Sequence, residues 1–460
     1  MANAEAHRIE RGRRELYKLG KSLRDGVPRD ALADYDPPPS RDPLAIIETT
    51  LADRLPSLRP LRRDLMSESA FAFLRGTADV MAFDLVHQRA PGVRAQAGGD
   101  CHLMNFGAFL SPEGNVLFDV NDFDETLPDV DIVHDLRRLA TSVVVAADDM
   151  GYSRSQARDF ARRAVKCYRE RIFQLAVMSP LEVWNVRVPL RDMVGTLRDR
   201  VLHDRLSTAI YTGKGPENRI DGLPRIEKTD KGWRIVEKPP KLSRFERMSD
   251  GEADMDIPAL FEQLIRQGLQ EPVATLFRRY SLCDCVFKAV GVGSVGVFCA
   301  IGLFMSDDEQ PLAMQIKEAK PSVLERFGFG RWDGSQGKRV IAGQRVMQAA
   351  SDIFLASADS SDAARRFYMR QLKTRRLGSI SELLKDKAFP SYVELCGGTL
   401  ARAHARSSQP AILAGYLGKG EAVDDALASF AMLYARQIES DFETFRLAQG
   451  AATSDKTAAV

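Results

Sequence analysis

From Gly98 to Glu125 the chain reads GGDCHLMNFGAFLSPEGNVLFDVNDFDE. Asp100, His102, Asn105, Asp119, Asn121, Asp122, Asp124 and Glu125 are interleaved there with Leu103, Met104, Phe106, Phe109, Val116, Leu117, Phe118, Val120 and Phe123. Such interleaving of acids with large apolar residues predicts a buried hairpin rather than an acid-rich surface turn. Pro112, Glu113, Gly114 and Asn115 read as the turn, and Val116–Val120 reads as a strand. The hairpin would hold Asp100 and Asn105 at one end and return the chain to them at Asp122. Burying so many acids together is costly unless a cation or a substrate meets them. The pattern therefore marks a candidate site.

Elsewhere the apolar spacing is mostly helical. Ser67–Arg89 carries Phe71, Leu74, Val80, Met81 and Leu85 at helical intervals, interrupted at Arg75-Gly76. Asp135–Met150 has a stripe at Leu136, Leu139, Val143 and Val144, with Asp135 placed to accept the free N–H groups of its first turn. Residues 153–178, 253–277, 336–356, 390–407 and 421–448 also read as helices. The lone His404 reads as a packing residue. A tail expected to be disordered starts at Gly450. His7–Arg24 is a basic helix candidate, Asp36–Pro43 a rigid linker and Leu44–Arg54 a short amphipathic helix. Residues 186–250 read as a charged insertion with a hairpin near Trp233, broken at Pro239-Pro240. Cys285–Met305, Leu312–Ile316 and Phe367–Leu372 read as strands.

These patterns divide the chain into an N-terminal extension (1–66), a mainly helical unit (67–280), a β-rich unit (281–378) and C-terminal helices (379–460). Composition narrows the class. The 65 basic and 63 acidic residues nearly cancel, which leaves no nucleic-acid footprint. The uncharged run Ala289–Met305 is shorter than a membrane span needs, and its glycines suit strands and a turn. The N-terminus lacks the apolar core of a signal peptide. The six cysteines show no zinc spacing, and Cys283-Asp284-Cys285 reads as two core thiols. Together these predict a cytoplasmic protein with no membrane partner, and they leave its oligomeric state open.

Two motifs carry the chemistry. Gly99-Asp100-Cys101-His102-Leu103-Met104-Asn105 resembles the G-D-x-H-x-x-N catalytic loop of aminoglycoside and choline phosphotransferases, and Asp122-Phe123-Asp124 resembles their metal-binding element. Gly291-Val292-Gly293-Ser294-Val295-Gly296 is a G-x-G-x-x-G followed by a strand-like run. That context favours a phosphate-covering hairpin over a dinucleotide fold, where a helix would follow. A glycine-rich hairpin with no ligand is the alternative. Met314-Gln315-Ile316-Lys317 resembles the V-A-I-K strand, with Lys317 on the face opposite Met314 and Ile316; an edge charge is the alternative. Over its whole length the chain also resembles a large uncharacterised bacterial family of unknown function. FAFLRG at 71–76, KEA at 317–319, YMRQL at 368–372 and LARAHARS at 400–407 carry that likeness.

The first resemblance implies an α+β, two-lobe, protein-kinase-like fold. Its glycine hairpin and lysine come about 200 residues after the catalytic loop instead of before it, so the order would be circularly permuted. It implies an ATP- and Mg²⁺- (or Mn²⁺-) dependent phosphotransferase acting on an unidentified hydroxyl acceptor. Asp100 would be the base and His102 its support. Asn105 and Asp122 would bind metal, with Asp124 taking a second ion or facing the acceptor. Gly291, Gly293, Ser294, Gly296 and Lys317 would hold the phosphates, and Tyr368 and Arg370 would lie on the strand leading to adenine. The sequence departs from the pattern in the helix after Lys317, which offers Gln344, Arg345 and Gln348 but no glutamate to pair with the lysine. Glu318 and Glu325 are the substitutes. A pseudokinase, an AMP transferase, and a phosphohydrolase using His102, Asp122 and His134-Asp135 remain rivals.

Overall fold

The computed structural model describes residues 12–189, 223–245, 255–289, 291–359, 365–372 and 388–458. Most of the expected insertion and the start of the expected His7–Arg24 helix lie outside them. The fold is α+β. Helices α1 (Arg13–Gly26), α2 (Pro43–Ala52), α3 (Arg59–Met66), α4 (Ala70–Gly76) and α5 (Ala78–Val86) lead to strand β1 (Arg94–Ala97). The hairpin β2 (Phe106–Leu110) and β3 (Val116–Val120) follows, then β4 (Leu127–Asp131), which pairs with β1. Next come α6 (Ile132–Asp149), α7 (Arg154–Leu175) and α8 (Pro180–Asn185).

The sheet region comprises β5 (Ile226–Thr229), β6 (Gly232–Ile235), β7 (Leu242–Ser243), α9 (Ile257–Gly268), α10 (Glu271–Phe277), β8 (Tyr280–Lys288), β9 (Cys299–Ser306), β10 (Pro311–Glu318), α11 (Val323–Arg326), α12 (Gln336–Met347), β11 (Ala356–Asp359) and β12 (Arg366–Gln371). Its six-stranded sheet has the order β11-β12-β10-β9-β8-β7, and every paired neighbour is antiparallel. Three helices close the chain: α13 (Phe389–Ala405), α14 (Pro410–Leu417) and α15 (Ala422–Ala458).

Two large cores form. One gathers α4 to α7, α13 and α15 around Phe73, Leu139, Tyr168, Leu400 and Phe430. The other lies under one face of the sheet, where Met314 and Ile316 of β10 and Phe367 and Met369 of β12 meet Phe261, Phe277 and Phe304. Strand alternation leaves Gln315, Lys317, Tyr368 and Arg370 on the opposite face, and the register sets Lys317 beside Tyr368 and Gln315 beside Arg370.

Several expectations are corrected. The boundary at 280 falls earlier, because α9 and α10 bury Ile257, Leu260, Phe261, Leu264 and Phe277 in the sheet core and β7 joins the sheet itself. Residues 13–66 dock on the rest of the chain at several points: the Tyr17 and Gly20 backbones touch Gly415 and Ile412, and Arg41 bridges Asp84 and Asp441. Helix α15 runs past Gly450, where the tail was expected to begin, to Ala458. Cys283 is exposed, because a bulge between Leu282 and Asp284 turns it out of β8. Ala289–Met305 contributes a turn and β9, as its glycines suggested, and no helix among the described residues is long and apolar enough to cross a membrane.

Candidate functional site

The hairpin at 98–125 folds as its pattern predicts, with Ser111–Asn115 as the turn. Beneath it, Asp119 is fully buried. It accepts the Ala349 N–H at 2.8 Å and pairs with Arg402 of α13. Gly99 has φ +78, and a side chain there would collide with the Glu125 carbonyl. Only glycine lets the two ends of the stretch come together there.

Asp135 fixes that glycine turn. Its carboxylate accepts Gly98 N–H at 2.7 Å and Gly99 N–H at 3.0 Å. The expected cap of its own helix is made instead by Asp131, which accepts Val133 N–H at 2.9 Å. His404 is more than packing: its Nε2 lies 3.1 Å from Asp135 and its Nδ1 3.0 Å from the Tyr168 hydroxyl. Burial raises the Asp135 pKa, but the adjacent His134 and the hydrogen-bonded His404 outweigh it and hold the carboxyl well below the usual range.

Asp100 stands at the head of the next turn. Its Oδ1 accepts Arg138 Nε at 2.9 Å and Nη2 at 2.7 Å, and Arg138 also donates to Leu74 O. Burial outweighs this arginine and pushes the Asp100 carboxyl up to about 7. His102 Nε2 lies 3.7 Å from Asp100 Oδ2. Burial drives the imidazole pKa well below normal, so it is neutral, and its Nδ1 accepts Met104 N–H at 3.1 Å. Asn105 Nδ2 donates to the Asp100 carbonyl at 2.5 Å, and its own carbonyl accepts Asn121 N–H at 2.7 Å. The three residues thus form one rigid turn leading to Asp122.

Lys317 reaches this turn from the sheet. Its ammonium pairs with Asp124 Oδ2 and lies 2.9 Å from Ser294 Oγ, which is itself 3.1 Å from the same oxygen. Tyr368 donates to Asp124 Oδ1 at 2.7 Å. Burial opposes both charges. The Lys317 ammonium and the Tyr368 hydroxyl still hold Asp124 well below the usual range, and the charges of Asp124 and Asp122 raise Lys317. Arg370, which donates to Gln315 Oε1 at 2.9 Å, also feels Asp122 and Asp124. Asp122 Oδ1 accepts Asp124 N–H at 3.3 Å.

The glycine segment connects β8 to β9, as expected, and Val292–Ser294 forms a short 3₁₀ turn. It lies directly over the Asp100 turn: a Cβ on Gly293 would be 3.8 Å from Asp100 Oδ2. Arg62 clamps it from α3, donating to Gly293 O at 2.8 Å and Gly76 O at 2.7 Å. Gly296 O accepts Leu55 N–H at 2.8 Å. A small cleft opens beside the loop between Thr50, Arg54, Ser294, Asp124 and Lys320.

Neither substitute glutamate meets Lys317. Glu318 pairs with Arg365 at 2.8 Å, and Glu325 accepts Ser322 N–H at 3.1 Å and Trp332 N–H at 2.9 Å. The helix after Lys317 contributes an arginine instead. Arg339 is fully buried and donates to Asp124 O at 2.7 Å and Lys320 O at 2.9 Å, as well as to Thr126 O. Sequence reading missed Arg62, Arg138 and Arg339. Arginines inside otherwise amphipathic helices were the available signal, and burial was what it lacked. Among the described residues no group of three or more His, Cys, Asp or Glu is arranged to cage a metal.

The site thus joins the Asp100–Asn105 turn, two acids on a following segment, and a lysine and glycine loop from an antiparallel sheet. The chain belongs to the DUF2252 family, described as an uncharacterised protein conserved in bacteria; the match covers residues 54–448. That span includes every candidate residue named above. Neither the curated proteins nor the solved structures contain a match to it.

Proposed function

We propose that this protein is an ATP- and Mg²⁺-dependent phosphotransferase with a kinase-like, circularly permuted arrangement of its parts. One observation carries the reading. Lys317 and Asp124, 193 residues apart, meet at one point under a glycine loop that lies on Asp100. The local order of glycine strand pair, lysine strand, helix and two further strands supports it, since it matches the way a kinase covers and grips its phosphates.

Each residue then has a task. Asp100, with a pKa near neutrality, accepts the proton of the acceptor hydroxyl as its oxygen attacks the γ-phosphorus and the bond to the β-phosphate oxygen breaks. Lys317 and the loop N–H groups hold the phosphates, and Tyr368 and Arg370 face them from β12. Asn105 and Asp122 supply hard oxygen donors that suit Mg²⁺ or Mn²⁺, which needs only one or two protein oxygens when phosphates complete its shell. The ion, when bound, would neutralise phosphate charge. Ser294 Oγ now sits between Lys317 and Asp124, so the loop has to lift for a triphosphate to enter.

Two rivals are weighed by the same contacts. The hydrolase reading is weakened because Asp135 holds the Gly98–Gly99 backbone and His134 stacks edge-on against Phe329. AMP transfer stays open because Arg339 stands in the helix where a lysine-pairing glutamate is usual. Incubation with Mg²⁺ and either γ- or α-labelled ATP tests all three. Labelled product from γ-ATP is expected, and EDTA, Asp122→Ala and Asn105→Ala should each weaken nucleotide binding. Product labelled only from α-ATP makes it an AMP transferase. Phosphate released from esters without ATP makes it a hydrolase.

A further inference from the structure

Arg75, in the last turn of α4, lies against the glycine loop. Its Nε is buried and has no hydrogen-bond partner among the described residues. No carboxylate among them makes an ion pair with it, although the charges of Asp100, Glu68 and Asp122 act on it. Its Nη2 lies 3.6 Å from the position a Cβ on Gly291 would take, and its carbonyl oxygen is 2.9 Å from that position on Gly293. Arg62 bridges the neighbouring Gly76 carbonyl and the Gly293 carbonyl, holding the α4 end against the glycine loop. Arg138 is engaged on Asp100, and Arg62 and Arg339 on backbone carbonyls. An unpaired guanidinium half out of water is costly, and its planar fork suits an anion with two oxygens to offer.

We propose that Arg75 is a ligand of the terminal phosphoryl group of the bound nucleotide, and that it carries part of the charge on that group during transfer. The inference rests on the phosphotransferase reading above. The charges of the base Asp100 and the metal carboxylate Asp122 act on Arg75, and its Nη2 lies against the loop at Gly291. A terminal phosphate set there would receive two N–H donors from Arg75, while the proton of the acceptor hydroxyl passes to Asp100 and ADP leaves.

Calorimetry with Mg²⁺ and either a non-hydrolysable ATP analogue or ADP tests this on the full chain. Arg75→Gln and Arg75→Ala should weaken the triphosphate about 10- to 100-fold, the range for lost charge-assisted hydrogen bonds. ADP binding should stay within about twofold. Arg75→Lys should recover part of the binding but little of the turnover. The thermal midpoint should not fall in Arg75→Gln, because the side chain has no protein partner to lose. Equal loss for both nucleotides, no loss for either, or a lowered midpoint in Arg75→Gln with unchanged discrimination overturns the role of Arg75 while leaving the phosphotransferase reading intact. Wild-type protein that binds neither nucleotide overturns both.

Discussion

Asp100 and Asp124 sit at the two ends of one hairpin with side chains 15% and 20% exposed, yet their acidities move in opposite directions. Burial pushes both up. Asp100 meets a single arginine, on one oxygen, and rises to about 7. Asp124 meets Lys317 and Ser294 on one oxygen and Tyr368 on the other, and falls well below the usual range. The lesson is that donors, not depth, decide what a buried carboxylate can do. One end of the hairpin is poised to take a proton at neutral pH. The other is fixed as an anion that anchors the sheet to the helical core.

The sharpest way to break the contrast is Asp100→Asn. Turnover should fall by about 10²–10⁴-fold with nucleotide affinity nearly intact, because the change keeps shape and removes proton acceptance. Steady-state kinetics beside calorimetry checks it, and unchanged turnover removes Asp100 from the chemistry. Next comes Lys317→Met, which leaves Asp124 charged with only neutral donors. Urea unfolding at pH 7 should show a loss of about 3 kcal/mol, the low end for stranding one member of a buried pair, because Tyr368 and Ser294 remain. A loss below about 1 kcal/mol would mean that the pair does not anchor the sheet.

A pH series sharpens the same contrast. Below pH 7, kcat/KM should rise about tenfold per unit and then level off, following the ionisation of Asp100. Stability should respond in two directions. Asp100 is raised, so between the ordinary carboxyl pKa of about 4 and its folded value the folded form still holds a proton the unfolded form has lost; stability drops across that window as pH rises, and Asp100→Asn should flatten it. Asp124 is depressed, so its stabilisation is present above about pH 4 and is lost as pH falls through its folded value. The smallest effect belongs to Glu318→Gln. The Glu318–Arg365 pair is partly exposed, so stability should change by about 0–1 kcal/mol and nucleotide binding by less than about twofold. A collapse of binding would restore Glu318 as the partner of Lys317.

The acid-rich hairpin, its turn, the strand–glycine–strand order and the face that carries Lys317 were legible, because each is a local pattern of period two or a turn signal. The partner of Lys317 was not. Asp124 lies in another part of the chain, and a lysine strand says nothing about which carboxylate it will meet. Helices α9 and α10 were legible as helices but not as the cover of the sheet, since an apolar stripe does not name what it packs on. Asp135 was placed at the right helix end with the wrong N–H groups. Asp131 was the better cap by position, and only the returning glycine turn reveals the task of Asp135.

The Asp119–Arg402 pair links residues 283 positions apart and has an implication for how the protein is made. At roughly 5–20 residues per second on the ribosome, the hairpin emerges tens of seconds before the helix that neutralises its buried acid. Lys317, Arg339 and His404 arrive in the same late interval. Until then this stretch of acids and large apolar residues lacks the partners that bury it, a state that chaperones can bind. Timing of synthesis, rather than any weakness of the finished core, is the vulnerable stage of this architecture.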